Sequence, residues 1–362
     1  MIKSSMIKTS DLRIRALTKI LPPKELLDRF SITDKHAKFI LQNKSEIADI
    51  LNGKDDRLFC VIGPCSIHDS KAAIDYANLL AKKAKEHEGE LLIIMRVYFE
   101  KPRTTLGWKG MINDPDINGT YNMDKGLLTA RKVLLDVLDA GIGIGTEFLD
   151  PISPQYTTDT VSWGAIGART TESQVHRQLV SGLSMPVGFK NTTSGSIQAA
   201  IDACVCASVT HTFLSVDKRG HLVCAETDGN DTTHIILRGQ EFGPNYYPEF
   251  VREALSLANL TSAPRSARFG VVIDAAHGNS GKNEIKQVQV LDSIAERIAG
   301  GEKGITGIMM ESFIKSGTQK AAPQQMLIYG KSITDPCIDW NTTARITDTL
   351  ADAIKSRRSR TE

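Results

Sequence analysis

No apolar run in this sequence approaches the ~20 residues that a bilayer-crossing helix needs, so a membrane protein is not expected. The opening stretch, MIKSSMIKTSDLRIR, carries basic and hydroxyl side chains but no apolar core, and a secretory leader is not expected either. An excess of one charge is also missing: 44 basic residues face 42 acidic ones, for a net charge of +2. Such a chain has no global field with which to gather nucleic acid or an anionic membrane, and any anion site must be local. Cysteine is sparse, six in 362 residues with no CxxC pair, which implies free thiols, a reducing compartment and a cytoplasmic location. There is no Walker A string and no G-x-S-x-G elbow. The string GIGIG (141–145) precedes an apolar run instead of opening a helix after one, which sets aside a nicotinamide loop.

What the sequence does contain is an alternation of short apolar runs with segments of helical periodicity, beginning at Arg57. Residues 1–56 read as a helical extension. Leu12, Ile14 and Leu17 stand at helical spacing, Pro22-Pro23 makes a break, and Ser31 or Thr33 caps a helix running to about Leu51. This extension suits packing, regulation, or the contacts of a homodimer or homotetramer. Residues 57–362 read as the catalytic unit, with strands near Leu58–Ile62, Leu91–Val97, Ile144–Phe148, Ala165–Ala168, Pro186–Phe189, His234–Leu237, Phe269–Asp274 and Ile305–Met310. Helices lie between them, one of them over Pro154–Trp163. A β-hairpin, turning at Asp217–Gly220, interrupts the alternation as an insertion at about 211–226. Eight strands alternating with helices admit a doubly wound sheet or a (β/α)8 TIM barrel, and eight units over about 300 residues favour the barrel.

Every expected strand ends on a group that can do chemistry: Cys65, Arg96, Glu147, Arg169, Lys190, Arg238, His277 and Glu311. In a barrel these ends share one face, where active sites are built. One such charge is ordinarily a solvated cap, but a complete set of eight exceeds what solvation asks for. Barrel closure makes strands 7, 8 and 1 neighbours, which gathers His277, Glu311 and Cys65, with Asp335 following strand 8. A thiolate, an imidazole and two carboxylates suit one divalent transition metal (Mn2+, Fe2+, Co2+ or Zn2+), and the sulfur argues against Mg2+ or Ca2+. The plainer readings are a small buried hydrophobe for Cys65 and a cap or core histidine for His277.

Arg96, Arg169, Lys190 and Arg238 come from strands 2, 4, 5 and 6 and would repel one another unless a multiply charged anion lay among them. That implies a substrate with both phosphate and carboxylate. The stretch RVYFEKPRTTLGWKG (96–110) adds Lys101, Arg103, Thr104 and Thr105, and taken alone it fits a solvated basic loop as well as an anion site. A metal beside a polyanion pocket points to metal-assisted carbon–carbon bond formation between a phosphorylated acid and a carbonyl compound.

The strings VIGPCSIHD (61–69), MRVYFEKPRTTLGWKG (95–110), TEFLD (146–150), WGAIGARTTESQVHR (163–177), PVGFKN (186–191), HIILRG (234–239), HGNS (277–280), ESF (311–313) and SITDPCIDW (332–340) resemble type I 3-deoxy-D-arabino-heptulosonate 7-phosphate synthases, which open the shikimate pathway to the aromatic amino acids. The resemblance implies condensation of phosphoenolpyruvate with erythrose 4-phosphate and release of phosphate. It implies Cys65, His277, Glu311 and Asp335 as metal ligands, and Arg96, Lys101, Arg169, Lys190 and Arg238 as phosphoenolpyruvate ligands. Arg103 and Thr104 match the clamp on the erythrose 4-phosphate phosphate, and Lys101, Glu147 and Lys190 are the catalytic candidates. The run NTTSGS after Phe189-Lys190 departs from the Gly-Thr-Asp-Gly of many members. An aromatic amino acid inhibitor is a further implication, and PDINGTY (115–121), FLSVDK (213–218), ESFIKSGTQK (311–320) and ITDPC (333–337) lean towards the tryptophan-sensitive branch. Other readings are a 3-deoxy-manno-octulosonate 8-phosphate synthase, a Schiff-base aldolase using Lys190, and a non-catalytic sensor.

Overall fold

The computed structural model describes residues 9–103 and 105–360. Eight parallel strands close into a barrel: β1 (Leu58–Gly63), β2 (Leu91–Arg96), β3 (Gly143–Glu147), β4 (Trp163–Ile166), β5 (Val187–Lys190), β6 (Thr233–Leu237), β7 (Val271–Asp274) and β8 (Ile305–Glu311). Each strand is buried along its whole length, as expected of parallel strands covered by helices on one side and packed into the barrel on the other. β1 pairs with β8, Gly63 opposite Glu311, and with β2, Ile62 opposite Met95, so the strand ends that carry the candidate site lie level.

Inward side chains, among them Phe59, Val61, Ile94, Trp163, Ile236 and Met309, form a core of their own. Ile47, Ile50 and Leu51 belong to the same core, which means that the helix Asp34–Leu51 plugs one mouth of the barrel. Thr33 starts that helix, its Oγ1 accepting the His36 N–H at 3.1 Å. A polar pair beside this core is satisfied internally: Trp163 Nε1 donates to His234 Nε2 at 3.1 Å. Burial lowers the His234 pKa to about 4, which keeps the imidazole a neutral acceptor.

The hairpin pairs His211–Val216 antiparallel with Leu222–Thr227, outside the barrel. Three local expectations are corrected. Leu12, Ile14 and Leu17 lie on non-helical backbone and are exposed, so their helical spacing buries no apolar face against the described residues. The segment expected to be helical over Pro154–Trp163 is a single α-turn, Pro154–Thr157, and a 3-10 turn, Thr158–Thr160, before Trp163 enters β4. Asp159 there is drawn to buried Arg131, whose Nη2 donates to it at 2.8 Å. Phe269 ends a short helix, Arg265–Phe269, instead of starting β7. A small ribbon between Lys315–Thr318 and Lys331–Ser332, absent from the sequence reading, orders the loop that leads to Asp335.

Candidate active site

Four donor groups meet where β1, β7 and β8 end. Cys65, Glu311 and Asp335 each place a ligand atom within 4.8 Å of the other two. His277 Nε2 is 3.6 Å from Glu311 Oε1, so the imidazole borders the same corner. His277 opens the turn His277–Ser280 at a φ of +52°, a left-handed conformation that costs a β-carbon-bearing residue energy and persists where the surroundings impose it. Gln287 fixes Glu311 by its backbone, accepting the Glu311 N–H at 2.7 Å and donating to its carbonyl at 3.0 Å. Burial, reinforced by Glu311, pushes the Cys65 thiol up to about 11, and Lys101 opposes the rise. Burial would also raise Asp335, but His277, Lys282 and Lys101 outweigh it and hold that carboxyl below the usual value. A soft sulfur, an imidazole and two carboxylates at this spacing fit a divalent transition metal.

Beside this corner lies a cleft of about 220 Å³, with Lys101, Arg103, Glu147, Arg169, Lys190 and Arg238 in its wall and His277 and Asp335 at one side. The sequence-derived cations therefore converge, with one change of position. Arg96 is fully buried beneath the cleft, not in its wall. Its Nη2 donates to Glu311 at 3.1 Å and its guanidinium carbon lies 4.0 Å from the Tyr98 ring centre. Its Nη1 is buried and finds no hydrogen-bond partner among the described residues, a cost that an anionic ligand would remove. Lys101 Nζ lies 3.2 Å from both the sulfur and the carbonyl of Cys65, bridging the metal corner and the cleft. Burial lowers the Arg238 pKa, with Asp274 opposing and nearby Arg169 adding to the fall. Thr104 lies outside the described residues.

The family model described as "DAHP synthetase I family" matches residues 32–348. The chain belongs to the DAHP synthetase I family. It is 50% identical over 358 residues to the phospho-2-dehydro-3-deoxyheptonate aldolase of Corynebacterium glutamicum, covering 97% of this chain and 96% of that protein. It is 50% identical over 351 residues to the Phe-sensitive enzyme of Escherichia coli K12 (97% and 99% covered). The Trp-sensitive enzyme of Salmonella typhimurium is 46% identical over 352 residues (97% and 100% covered). The solved structure of the aldolase of that name from Francisella tularensis SCHU S4 superposes with a TM-score of 0.92 at 44% identity, covering 95% of this chain and 99% of that one.

In this member of the DAHP synthetase I family, Asp274 is the group that sequence reasoning missed. It is wholly buried and accepts from Lys190 Nζ at 2.8 Å, while His277 Nδ1 stands 2.8 Å away. Burial would raise its pKa, yet His277, Lys190 and Arg96 outweigh burial and hold it well below the carboxylate range. Asp274 thus ties the cation pocket to the metal corner. Its signal was its place at the end of β7, three residues before His277.

Glu100 is a second buried carboxyl, beside the cleft. Burial lifts its pKa from 4.5 to about 8, with Asp150 and Glu147 adding to the rise against the hydrogen bond from Ser153 Oγ at 2.7 Å. Between those two values the folded chain keeps a proton that the unfolded chain has lost, so stability falls as pH rises through that window. Glu100→Gln should match the wild-type Tm near pH 5 and exceed it by roughly 3 °C or more at pH 9. Parallel curves of Tm against pH would remove Glu100 as the source.

Proposed function

We propose that this chain joins phosphoenolpyruvate to D-erythrose 4-phosphate with one water, giving 3-deoxy-D-arabino-heptulosonate 7-phosphate and phosphate. The observation that supports this most directly is the cleft itself, where a polycationic wall adjoins a corner of one thiol, one imidazole and two carboxylates. Cys65, His277, Glu311 and Asp335 would hold one divalent cation, Mn2+, Fe2+, Co2+ or Zn2+. Bound there, it supplies Lewis-acid polarisation of the aldehyde oxygen.

The remaining work falls to the side chains. Arg169, Lys190 and Arg238 bind the phosphate of phosphoenolpyruvate, and Arg96 and Lys101 reach its carboxylate side from below. With the charges neutralised and the donor held rigid, carbon 3 faces the aldehyde in a fixed geometry. As carbon 3 bonds to the aldehyde carbon, the aldehyde oxygen takes a proton and carbon 2 gains water. The resulting hemiketal phosphate then loses inorganic phosphate. Lys101 and Glu147 stand in the cleft wall where protons must move at that water and oxygen.

Phosphate release should require both substrates and should stop when a chelator strips the metal. Release from phosphoenolpyruvate alone, or chelator-resistant turnover with a borohydride-trappable Lys190 adduct, would replace this reading by a phosphatase or a Schiff-base aldolase.

Arg103, in the cleft wall, would take the phosphate of erythrose 4-phosphate, a role proposed for Thr104 as well. A lost charge-assisted hydrogen bond then predicts that Arg103→Ala raises the KM for erythrose 4-phosphate by about 10- to 100-fold and that for phosphoenolpyruvate by about twofold at most. Equal effects on the two constants would reject that division of labour.

Residues 1–56 we propose as a regulatory and oligomer-forming extension. Leu12 and Leu17 there, and Leu214 and Leu222 on the hairpin, are exposed apolar side chains suited to a homodimer or homotetramer. An aromatic amino acid would act as feedback inhibitor. Relatives named for phenylalanine and for tryptophan sensitivity match at similar identity, 50% and 46%, so the lean to tryptophan rests on the four strings alone. Assays with each of the three aromatic amino acids test it. No helix among the described residues is long and apolar enough to cross a membrane, and all six thiols are free, which supports a cytoplasmic location.

A further inference from the structure

Three asparagines lie where β5, β6 and β7 deliver Lys190, Arg238 and Asp274 to the cleft. Asn191, Asn245 and Asn279 are 0%, 1% and 5% exposed. We propose that they form a positioning network that sets the backbone of Arg238 and thereby the shape of the phosphoenolpyruvate cleft, an inference that rests on the substrate reading above.

Five consecutive backbone polar groups around Arg238, from the Leu237 carbonyl to the Gly239 carbonyl, are hydrogen-bonded. The Leu237 carbonyl accepts from Asn279 Nδ2 at 3.1 Å. The Arg238 N–H donates to Asn191 Oδ1 at 2.8 Å, and its carbonyl accepts from the Gly278 N–H at 3.0 Å. The Gly239 N–H donates to Asn245 Oδ1 at 2.6 Å, and its carbonyl accepts from Asn191 Nδ2 at 2.9 Å. The asparagines also bind one another: Asn245 Nδ2 donates to Asn191 Oδ1 at 3.2 Å, and the Asn245 N–H to Asn279 Oδ1 at 2.7 Å. Asn279 Nδ2 further donates to the carbonyl of Asp274 at 2.8 Å, which carries the network to the residue that holds Lys190 and His277. Gly239 completes the fit. Its φ is +80°, and a β-carbon there would lie 2.2 Å from the Asn279 nitrogen.

The chemistry explains why amides stand here. Arg238 and Arg169 are like charges in a partly desolvated cleft, and repulsion pushes them apart when no anion is bound. A carboxylate partner would hold Arg238 but compete with the substrate for it. A neutral amide is both donor and acceptor, so it fixes the backbone and leaves the guanidinium for the ligand. The network therefore pre-organises a cation at no cost in positive charge.

A double-mutant cycle tests this with Asn245→Ala, Arg238→Ala and the pair in the full-length, metal-loaded chain. Phosphoenolpyruvate affinity is measured by titration calorimetry and both KM values by phosphate release. Asn245→Ala should weaken phosphoenolpyruvate binding about tenfold and leave the KM for erythrose 4-phosphate within about twofold. In the Arg238→Ala background the same change should add nothing, because the network acts through Arg238. Additive losses, or a lowered Tm with unchanged phosphoenolpyruvate affinity, would overturn the proposal and leave Asn245 a purely structural residue. Asn245→Asp keeps the acceptor for the Gly239 N–H and serves in the same cycle if the alanine variant does not fold. A wild-type chain that fails to turn over the two substrates would remove the substrate reading itself, whereas an additive cycle in a wild type that does turn over removes only the network.

Discussion

Cys65→Ala and His277→Ala should each cut phosphate release by on the order of a thousandfold, the equivalent of losing roughly 4 kcal/mol of Lewis-acid stabilisation. The reason lies in the donor set. In the proposed site Cys65 would supply the one soft ligand and His277 the one nitrogen, and neither neighbouring carboxylate could stand in for them. His277 opens a turn and is partly exposed, so circular dichroism and the thermal transition of its variant should stay close to wild type, whereas Cys65 is fully buried in the hydrophobic core and its variant should keep the fold with a somewhat lower Tm. Metal content after dialysis, measured by elemental analysis, should fall in parallel with turnover. Wild-type rates from either variant after chelation would end the metal assignment.

Asp274→Asn should be the most destabilising single change in the site, by about 3–5 kcal/mol, because it strands a buried ammonium. The amide keeps the size of the side chain and removes the charge that both Lys190 and His277 face. Urea denaturation at pH 7 measures the loss, and a shift under about 1 kcal/mol would show that Lys190 does not depend on this partner. The pH sign is fixed as well. A carboxyl held well below its usual value contributes stability above the ordinary carboxylate range and loses it as pH falls through the depressed value. The variant and the wild type should therefore converge in stability at strongly acid pH and diverge towards neutrality.

Much of this was visible in the residues. The barrel strands are short runs such as the apolar Leu91–Met95, too short for helices, and each stops at, or within three residues of, a charged or ligating side chain. Cap chemistry offered Ser31 or Thr33 as the start of the helix, because a hydroxyl there satisfies a free N–H, and the structure uses Thr33. What stayed hidden was of a different kind. Asp274 pairs with Lys190 across 84 residues of chain, and no local pattern marks such a partner. Phe269 looked like a strand residue by its aromatic ring, yet Pro264 caps a short helix there and the ring is left half-exposed. Leu12 and Leu17 had helical spacing but stay exposed among the described residues, and periodicity without packing does not make a helix. Arg96 was placed at the correct strand end, but only packing revealed that it lies under the cleft and not beside it.

The closure of β1 on β8 has a consequence for biosynthesis. The backbone N–H of Cys65 meets the sulfur of Cys337 at 3.4 Å, across 272 residues of chain. At a synthesis rate of about 5–20 residues per second, roughly 14 to 54 seconds pass between the ribosome adding one and adding the other. For most of that interval the nascent chain displays the Cys65 thiol before Glu311 has been added, and Asp335 follows only two residues before Cys337. If these residues hold a metal as proposed, the donor set is complete only once Asp335 has been added, and a translation product that stops short of it carries a thiol with an incomplete set. Closure of this barrel and completion of the proposed metal site are thus one late event in synthesis.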